Sequence, residues 1–125
     1  MKESGGKKIL IVEDDEDLLC LYRLYLQGES YQIIEAKNGL EGVEHAEQDR
    51  PDLIILDMIM PVMDGEESIQ KYRVEKKNFG VPIIIASVND KIPASLLEKG
   101  KIRNVLKKPF SIEILIKTIK TILGD

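Results

Sequence analysis

Four consecutive apolar residues, Leu53-Ile54-Ile55-Leu56, run straight into the carboxylate of Asp57 and then toward a turn at Pro61 and Asp64-Gly65. A strand with one wet face alternates apolar and polar side chains, and this run has no polar position, so protein covers both of its faces. That requirement points to a parallel sheet sandwiched between helices. Asp57, closing the run, falls at the carboxyl end of a central strand, where open parallel sheets place their ligand sites. Pro61 cannot continue a ladder, and Asp64-Gly65 marks a turn into the next helix. Taken alone, an Asp at such a place is better explained as a cap of the strand or loop, so the rest of the chain has to decide its role.

Lys7 to Val12 is a short β-rich run that ends in five acids, Glu13-Asp14-Asp15-Glu16-Asp17. Asp15, Glu16 and Asp17 suit the start of a helix, because negative side chains interact well with the free N–H groups and positive dipole there. Glu13 and Asp14 lie nearer the strand end, within reach of Asp57. Leu18, Leu21, Tyr22, Tyr25 and Leu26 recur at three and four and predict one buried helical face. Tyr31 to Ala36 reads as a strand, and Asn38-Gly39 opens a helix through about Gln48 with Leu40, Val43 and Ala46 inward. Glu66 to about Lys77 is a further helix with Ile69 and Tyr72 inward; Val81 to Ala86 is a second near-continuous apolar strand, ending in Ser87. A helix of about two turns from Pro93 to Lys99 stops at Gly100. Ile102 to Leu106 is a fifth strand, and Ser111 caps a last helix that turns Ile112, Leu115, Ile116 and Ile119 inward. Five strands alternating with five helices predict an α/β fold, a doubly wound five-stranded parallel sheet.

A chain of 125 residues, 43% apolar and 32% charged, suits one globular domain without disulfides. We expect residues 1–6 to be a flexible amino-terminal tail and 7–125 the domain. The net charge of −4 argues against nucleic acid as a direct partner, since phosphate backbones demand clustered Lys and Arg. The basic residues Lys99, Lys101, Arg103 and Lys107 read as a solvated edge. No apolar run approaches the ~20 residues of a membrane helix and no signal peptide opens the chain, so a cytoplasmic location without membrane contact is expected. Cys20 stands alone and is expected to pack as a small apolar residue; His45 reads as a surface residue beside a helical face.

Polar groups thus close four strand ends: Glu13 and Asp14, Asp57, Ser87, and Lys108 just beyond the fifth strand. In a parallel sheet these ends share one edge, so the groups converge. With these residues, and with the stretches Ile11-Val12-Glu13-Asp14-Asp15, Leu56-Asp57 through Pro61 to Asp64-Gly65, Ile85-Ala86-Ser87 and Lys108-Pro109-Phe110, the sequence resembles the receiver domain of two-component response regulators. The resemblance spans about Lys8 to Leu123 and implies a flavodoxin-like sheet of order 2-1-3-4-5 with a cis Lys108–Pro109 bond. It implies that Asp57 is the phosphoacceptor, Glu13 and Asp14 the acidic pair, Ser87 the switch hydroxyl and Lys108 the partnering lysine. The metal is then Mg²⁺ (or Mn²⁺), held by Glu13, Asp14, Asp57 and the backbone carbonyl of Ile59. Chemistry agrees on its own terms: a carboxylate can attack phosphorus, but three crowded acids repel an incoming dianion unless a hard divalent cation and a lysine offset them. The implied function is a phosphorylation-dependent switch, an enzyme only toward its own phosphorylation and dephosphorylation. The implied partners are a sensor histidine kinase or histidine phosphotransfer protein and a downstream protein or an effector domain missing from this chain.

Several positions depart from the family pattern. The segment from Ser87 to Gly100 is slightly short and that from Gly100 to Lys108 slightly long. Val105 stands where an aromatic ring commonly moves on activation, Val88 is bulkier than usual, and Ile59 is apolar where a polar side chain can aim a hydrolytic water. The alternative function is a non-phosphorylated pseudo-receiver acting as a protein-binding module, although such domains usually lack one of Asp14, Asp57 or Lys108. A phosphohydrolase would want a second Asp at position 59, and nucleotide binding would want a Gly-rich loop after the first strand.

Overall fold

The computed structural model describes residues 6–58, 65–71, 81–88, 92, 94–99 and 102–125. Within them the order is β1 (Lys8–Val12), α1 (Glu16–Gly28), β2 (Gln32–Ala36), α2 (Gly39–Asp49), β3 (Leu53–Leu56), α3 (Gly65–Gln70), β4 (Ile83–Ser87), α4 (Ala94–Lys99), β5 (Ile102–Lys107) and α5 (Ile112–Leu123). All five strands are parallel, in the order β2-β1-β3-β4-β5. The expected fold is therefore the observed one. All but Gly6 of the expected amino-terminal tail lies outside the described residues, as do Tyr72 and Pro93.

Strand side chains alternate between two cores. Leu10, Val12, Ile54, Leu56, Ile83 and Ile85 face Val43 and Ala46 of α2 and Ile69 of α3. Ile9, Ile11, Leu53, Ile55, Ile84 and Ala86 face Leu19, Tyr22 and Leu26 of α1 and Leu115 and Ile119 of α5. Burial on both sides explains why β3 and β4 carry no polar residue before their last position. The carboxylate of Asp15 caps α1, accepting from the N–H groups of Asp17 and Leu18, with Glu16 and Asp17 in the first turn, as the acidic run predicted. Ser111 caps α5 in the same manner, and Gly124 ends it in a left-handed conformation at φ 78°.

Two helical faces differ from expectation. In α1 the buried residues are Leu19, Tyr22 and Leu26, while Leu21 and Tyr25 are exposed and Leu18 is half-buried. Apolar residues occur nearly all round this helix, so periodicity alone selects no single face. Cys20 is likewise exposed rather than packed. In α2 Leu40 points outward, and the buried side is made by Gly39, Gly42, Val43 and Ala46. His45 is on the surface, 2.8 Å from Asp49 one turn on.

The extra length expected before Lys108 appears as a bulge. Ile83 pairs with Ile102 and Ile84 with Asn104, so Arg103 is left over between them. Arg103 and Asn104 are consecutively exposed, after which Val105 turns to one core and Leu106 to the other.

The corrected α1 face has a direct test. Leu19→Ala should cost about 2–5 kcal/mol, the range for a fully buried leucine, and Leu21→Ala under about 1 kcal/mol. Urea unfolding of both variants decides it; the reverse ranking would restore the face expected from spacing.

Candidate functional site

Ladder hydrogen bonds continue past the last strand residues and fix the site. The Asp57 N–H donates to the Val12 carbonyl at 3.1 Å, and the Glu13 N–H to the Ala36 carbonyl at 2.9 Å. The Lys108 N–H donates to the Ser87 carbonyl at 2.8 Å. Every sequence-predicted site residue in the described part of the chain therefore stands at one edge of the sheet. Ile59 lies outside the described residues.

Carboxylate oxygens of Glu13, Asp14 and Asp57 lie within 4.8 Å of one another. Glu13 is 2% exposed and Asp57 8%, whereas Asp14 opens to solvent. Lys108 spans the two buried acids, its Nζ donating to Glu13 Oε1 at 2.5 Å and to Asp57 Oδ2 at 3.3 Å. The other Glu13 oxygen accepts from the Asp15 N–H at 3.2 Å. Ser87 is fully buried at the end of β4. The Lys108–Pro109 peptide is cis, as the resemblance implied.

The charges balance unevenly. Burial pushes the Glu13 carboxyl above its ordinary value; the hydrogen bond and charge of Lys108 work against that rise, and the neighbouring Asp57 adds to it. Burial pulls Lys108 the other way, but the hydrogen bond and charge of Glu13, with the charge of Asp57, outweigh it and leave the ammonium raised. The contact of 2.5 Å between the Lys108 ammonium and the Glu13 carboxylate is a charge-assisted bond, and the two form an ion pair at pH 7.

Three carboxylates that can share one cation, one of them open to solvent, form an all-oxygen donor set that fits a hard divalent ion such as Mg²⁺. Among the described residues this is the group that could hold a metal, and neither Cys20 nor His45 belongs to it. Sequence reasoning read Tyr22 only as part of an apolar face. The structure places it in the core beneath this site, its ring stacked on Phe110 just beyond Lys108-Pro109. A tyrosine among the leucines of a buried helix stripe was the available signal.

The family model for the response regulator receiver domain matches residues 9–120. Among curated proteins, the polar-differentiation response regulator DivK of Brucella anthropi is 32% identical over 120 residues, covering 95% of this chain and 98% of that protein. The alkaline phosphatase synthesis transcriptional regulatory protein PhoP of Bacillus subtilis is 34% identical over 118 residues, and the chain spans about half of its length, 49%. Among solved structures, the receiver domain of a sensor histidine kinase from Pseudomonas aeruginosa, with a magnesium ion coordinated in its active-site cleft, aligns with a TM-score of 0.83. It is 28% identical, over 96% of this chain and 99% of that one. No helix among the described residues is long and apolar enough to cross a membrane.

Removing the ammonium should expose the cost of the acids it pairs. Lys108→Ala is expected to lower metal-free stability by about 1–3 kcal/mol at pH 7, because Glu13 is left buried without its counter-charge. The raised folded-state value of Glu13 sets the sign of the pH dependence. Relative to the unfolded chain, folding favours the protonated form of Glu13, so this contribution is full below the unfolded value of 4.5 and is lost as pH rises through the folded value. Losing Lys108 raises the folded value further. The variant goes on losing stability where the wild type no longer does, so the gap between them should widen above the wild type's raised folded value, as urea titrations across pH will read; a constant gap would mean that Glu13 is not the partner that matters.

Proposed function

The chain belongs to the response regulator receiver domain family, and from that premise we propose that it is a signalling switch whose Asp57 accepts a phosphoryl group from a histidine kinase or histidine phosphotransfer protein. The observation that carries this reading is the convergence on Asp57 of two further carboxylates within 4.8 Å and of the Lys108 ammonium at 3.3 Å. A purely structural role would not gather three acids at one strand edge, where they repel one another.

In the proposed reaction an Asp57 carboxylate oxygen attacks phosphorus of the donor's phosphohistidine. The new O–P bond forms as the P–N bond breaks, and its electron pair remains on the imidazole nitrogen. Lys108 offsets charge at the phosphoryl oxygens, and the Ser87 hydroxyl donates to one of them. Asp14 and Asp57, with the backbone carbonyl of Ile59, would hold Mg²⁺ or Mn²⁺; Glu13, already engaged by Lys108 and the Asp15 N–H, would contribute through water. When bound, the metal supplies positive charge against the phosphoryl oxygens. The chain's own part is positioning and charge neutralisation. Its chemistry is confined to its own phosphorylation and dephosphorylation, and its setting is the cytoplasm. A downstream protein or an effector domain reads the state, without direct contact to nucleic acid or membrane.

Acetyl phosphate with Mg²⁺ should add one base-labile phosphoryl group to the chain, and Asp57→Asn should abolish it, as intact-mass measurement will show. Undiminished labelling of the Asn variant would mean that another residue accepts; an unlabelled wild type would favour a binding module instead. Asp14→Ala should weaken Mg²⁺ affinity by at least about tenfold in a titration, while raising the metal-free melting temperature through relief of carboxylate repulsion. Unchanged affinity would remove Asp14 from the ligand set.

A further inference from the structure

Among the described residues, the Tyr22 hydroxyl is the buried side-chain polar atom that has no hydrogen-bond partner. The residue is 1% exposed, and its ring stacks on Phe110 with centroids 6.4 Å apart and planes 14° from parallel. A leucine or phenylalanine would fill this core position without leaving a hydroxyl unsatisfied, which is destabilising. Tyr22 also lines, with Lys108, Pro109 and Phe110, a cavity of about 260 Å³ between α1 and the turn into α5.

Tyr22 shares the lining of this cavity with Lys108, whose ammonium is bonded to Glu13 at 2.5 Å. Tyr22 follows the helix cap Asp15 by two turns, about 10 Å along the axis, and helical side chains lean back toward the amino terminus. After burial itself, the charges that raise its phenol are those of Glu13, Asp57 and Asp15, in that order. The hydroxyl thus stands within electrostatic reach of the cluster without bonding any member of it.

Lys108 divides its ammonium between Glu13 at 2.5 Å and Asp57 at 3.3 Å. A phosphoryl group on Asp57 adds nearly two negative charges and three strong acceptor oxygens on one side of that ammonium. As Lys108 turns to it, Glu13 remains buried and accepts from the Asp15 N–H at 3.2 Å. We propose that Tyr22 is a positioning residue for the phosphorylated state: its hydroxyl takes up the hydrogen bond to Glu13 that Lys108 gives up when it turns to the phosphoryl group on Asp57. One hydrogen bond replaces another, and no proton or covalent bond changes hands. This inference rests on the reading of Asp57 as phosphoacceptor.

Tyr22→Phe keeps the ring and its stack and removes only the hydroxyl. The metal-free variant should melt at or above the wild-type temperature, since the lost group had no partner. With Mg²⁺ its apparent affinity for beryllofluoride, a phosphoryl mimic, should fall about tenfold, the worth of one hydrogen bond to a charged group. In protein labelled with ¹³C at tyrosine Cζ, the signal that the variant lacks should move on adding beryllofluoride to the wild type. Equal affinities with an unmoved Tyr22 signal overturn the inference and leave Asp57 as the acceptor. Weaker affinity with an unmoved signal assigns the loss to packing and also overturns it. If the wild type takes up neither beryllofluoride nor a phosphoryl group from acetyl phosphate, the reading of Asp57 fails and the inference falls with it.

Discussion

The hydrogen bond from the Asp57 N–H to the Val12 carbonyl sets the register on which the site depends. It extends the β1–β3 ladder by one step, just as the Glu13 and Lys108 N–H groups extend the β1–β2 and β4–β5 ladders. Side-chain period in a strand is two, so a slip of one residue in β3 would turn Asp57 away and exchange the sheet's two apolar faces. Both faces are buried, and the same packing that stabilises β3 therefore holds the acid in place. Function and stability share one constraint here, which is why a short run of Leu and Ile, with no chemistry of its own, governs where the chemistry sits.

The edge so constructed gathers like charges. Glu13 and Asp57 are buried within reach of Asp14, and the Lys108 ammonium bridges the two buried acids. Its shorter contact is to Glu13, although Glu13 is the acid least suited to accept a phosphoryl group, lying deepest and already accepting from Asp15. The ammonium thus lies nearer to Glu13 than to Asp57. An arrangement of this kind costs stability in one state and gains it back when positive charge arrives, which is a property expected of sites selected for binding rather than for packing.

The sheet was legible because buried parallel strands leave an unmistakable pattern. Leu53 to Leu56 and Ile83 to Ala86 have no polar positions, and the acids and Lys108 stand immediately after strand runs, where topology alone brings them together. Helix orientation was less legible. Leu18, Leu19, Leu21, Tyr22, Leu24, Tyr25 and Leu26 surround α1 with apolar side chains, so its buried face is chosen by tertiary packing and leaves Leu21, Leu24 and Tyr25 exposed. In α2 the buried side includes Gly39 and Gly42 and leaves Leu40 exposed, and a glycine carries no hydrophobic signal. The orientation of the Tyr22 hydroxyl depends on that same choice of face, and no count of apolar residues could have supplied it.

Val105 illustrates how one local irregularity limits the paths by which a change at Asp57 can spread. The bulge at Arg103 sets the phase of β5, so that Val105 packs against the core that holds Ile83 and Ile85, while Leu106 enters the opposite one. A β-branched side chain is stiff at χ1 and has no ring to swing between an inner and an outer position. What joins β4 to the lysine instead is backbone: the Ser87 carbonyl accepts the Lys108 N–H at 2.8 Å, and Ser87 pairs with Lys107 in the ladder. Ser87 and the turn that carries Phe110 are therefore joined by a main-chain hydrogen bond. Phe110 rests on Tyr22. Movement at this edge of the sheet would then reach α1 through a stacked aromatic pair, rather than the outer edge of the sheet through a rotating side chain.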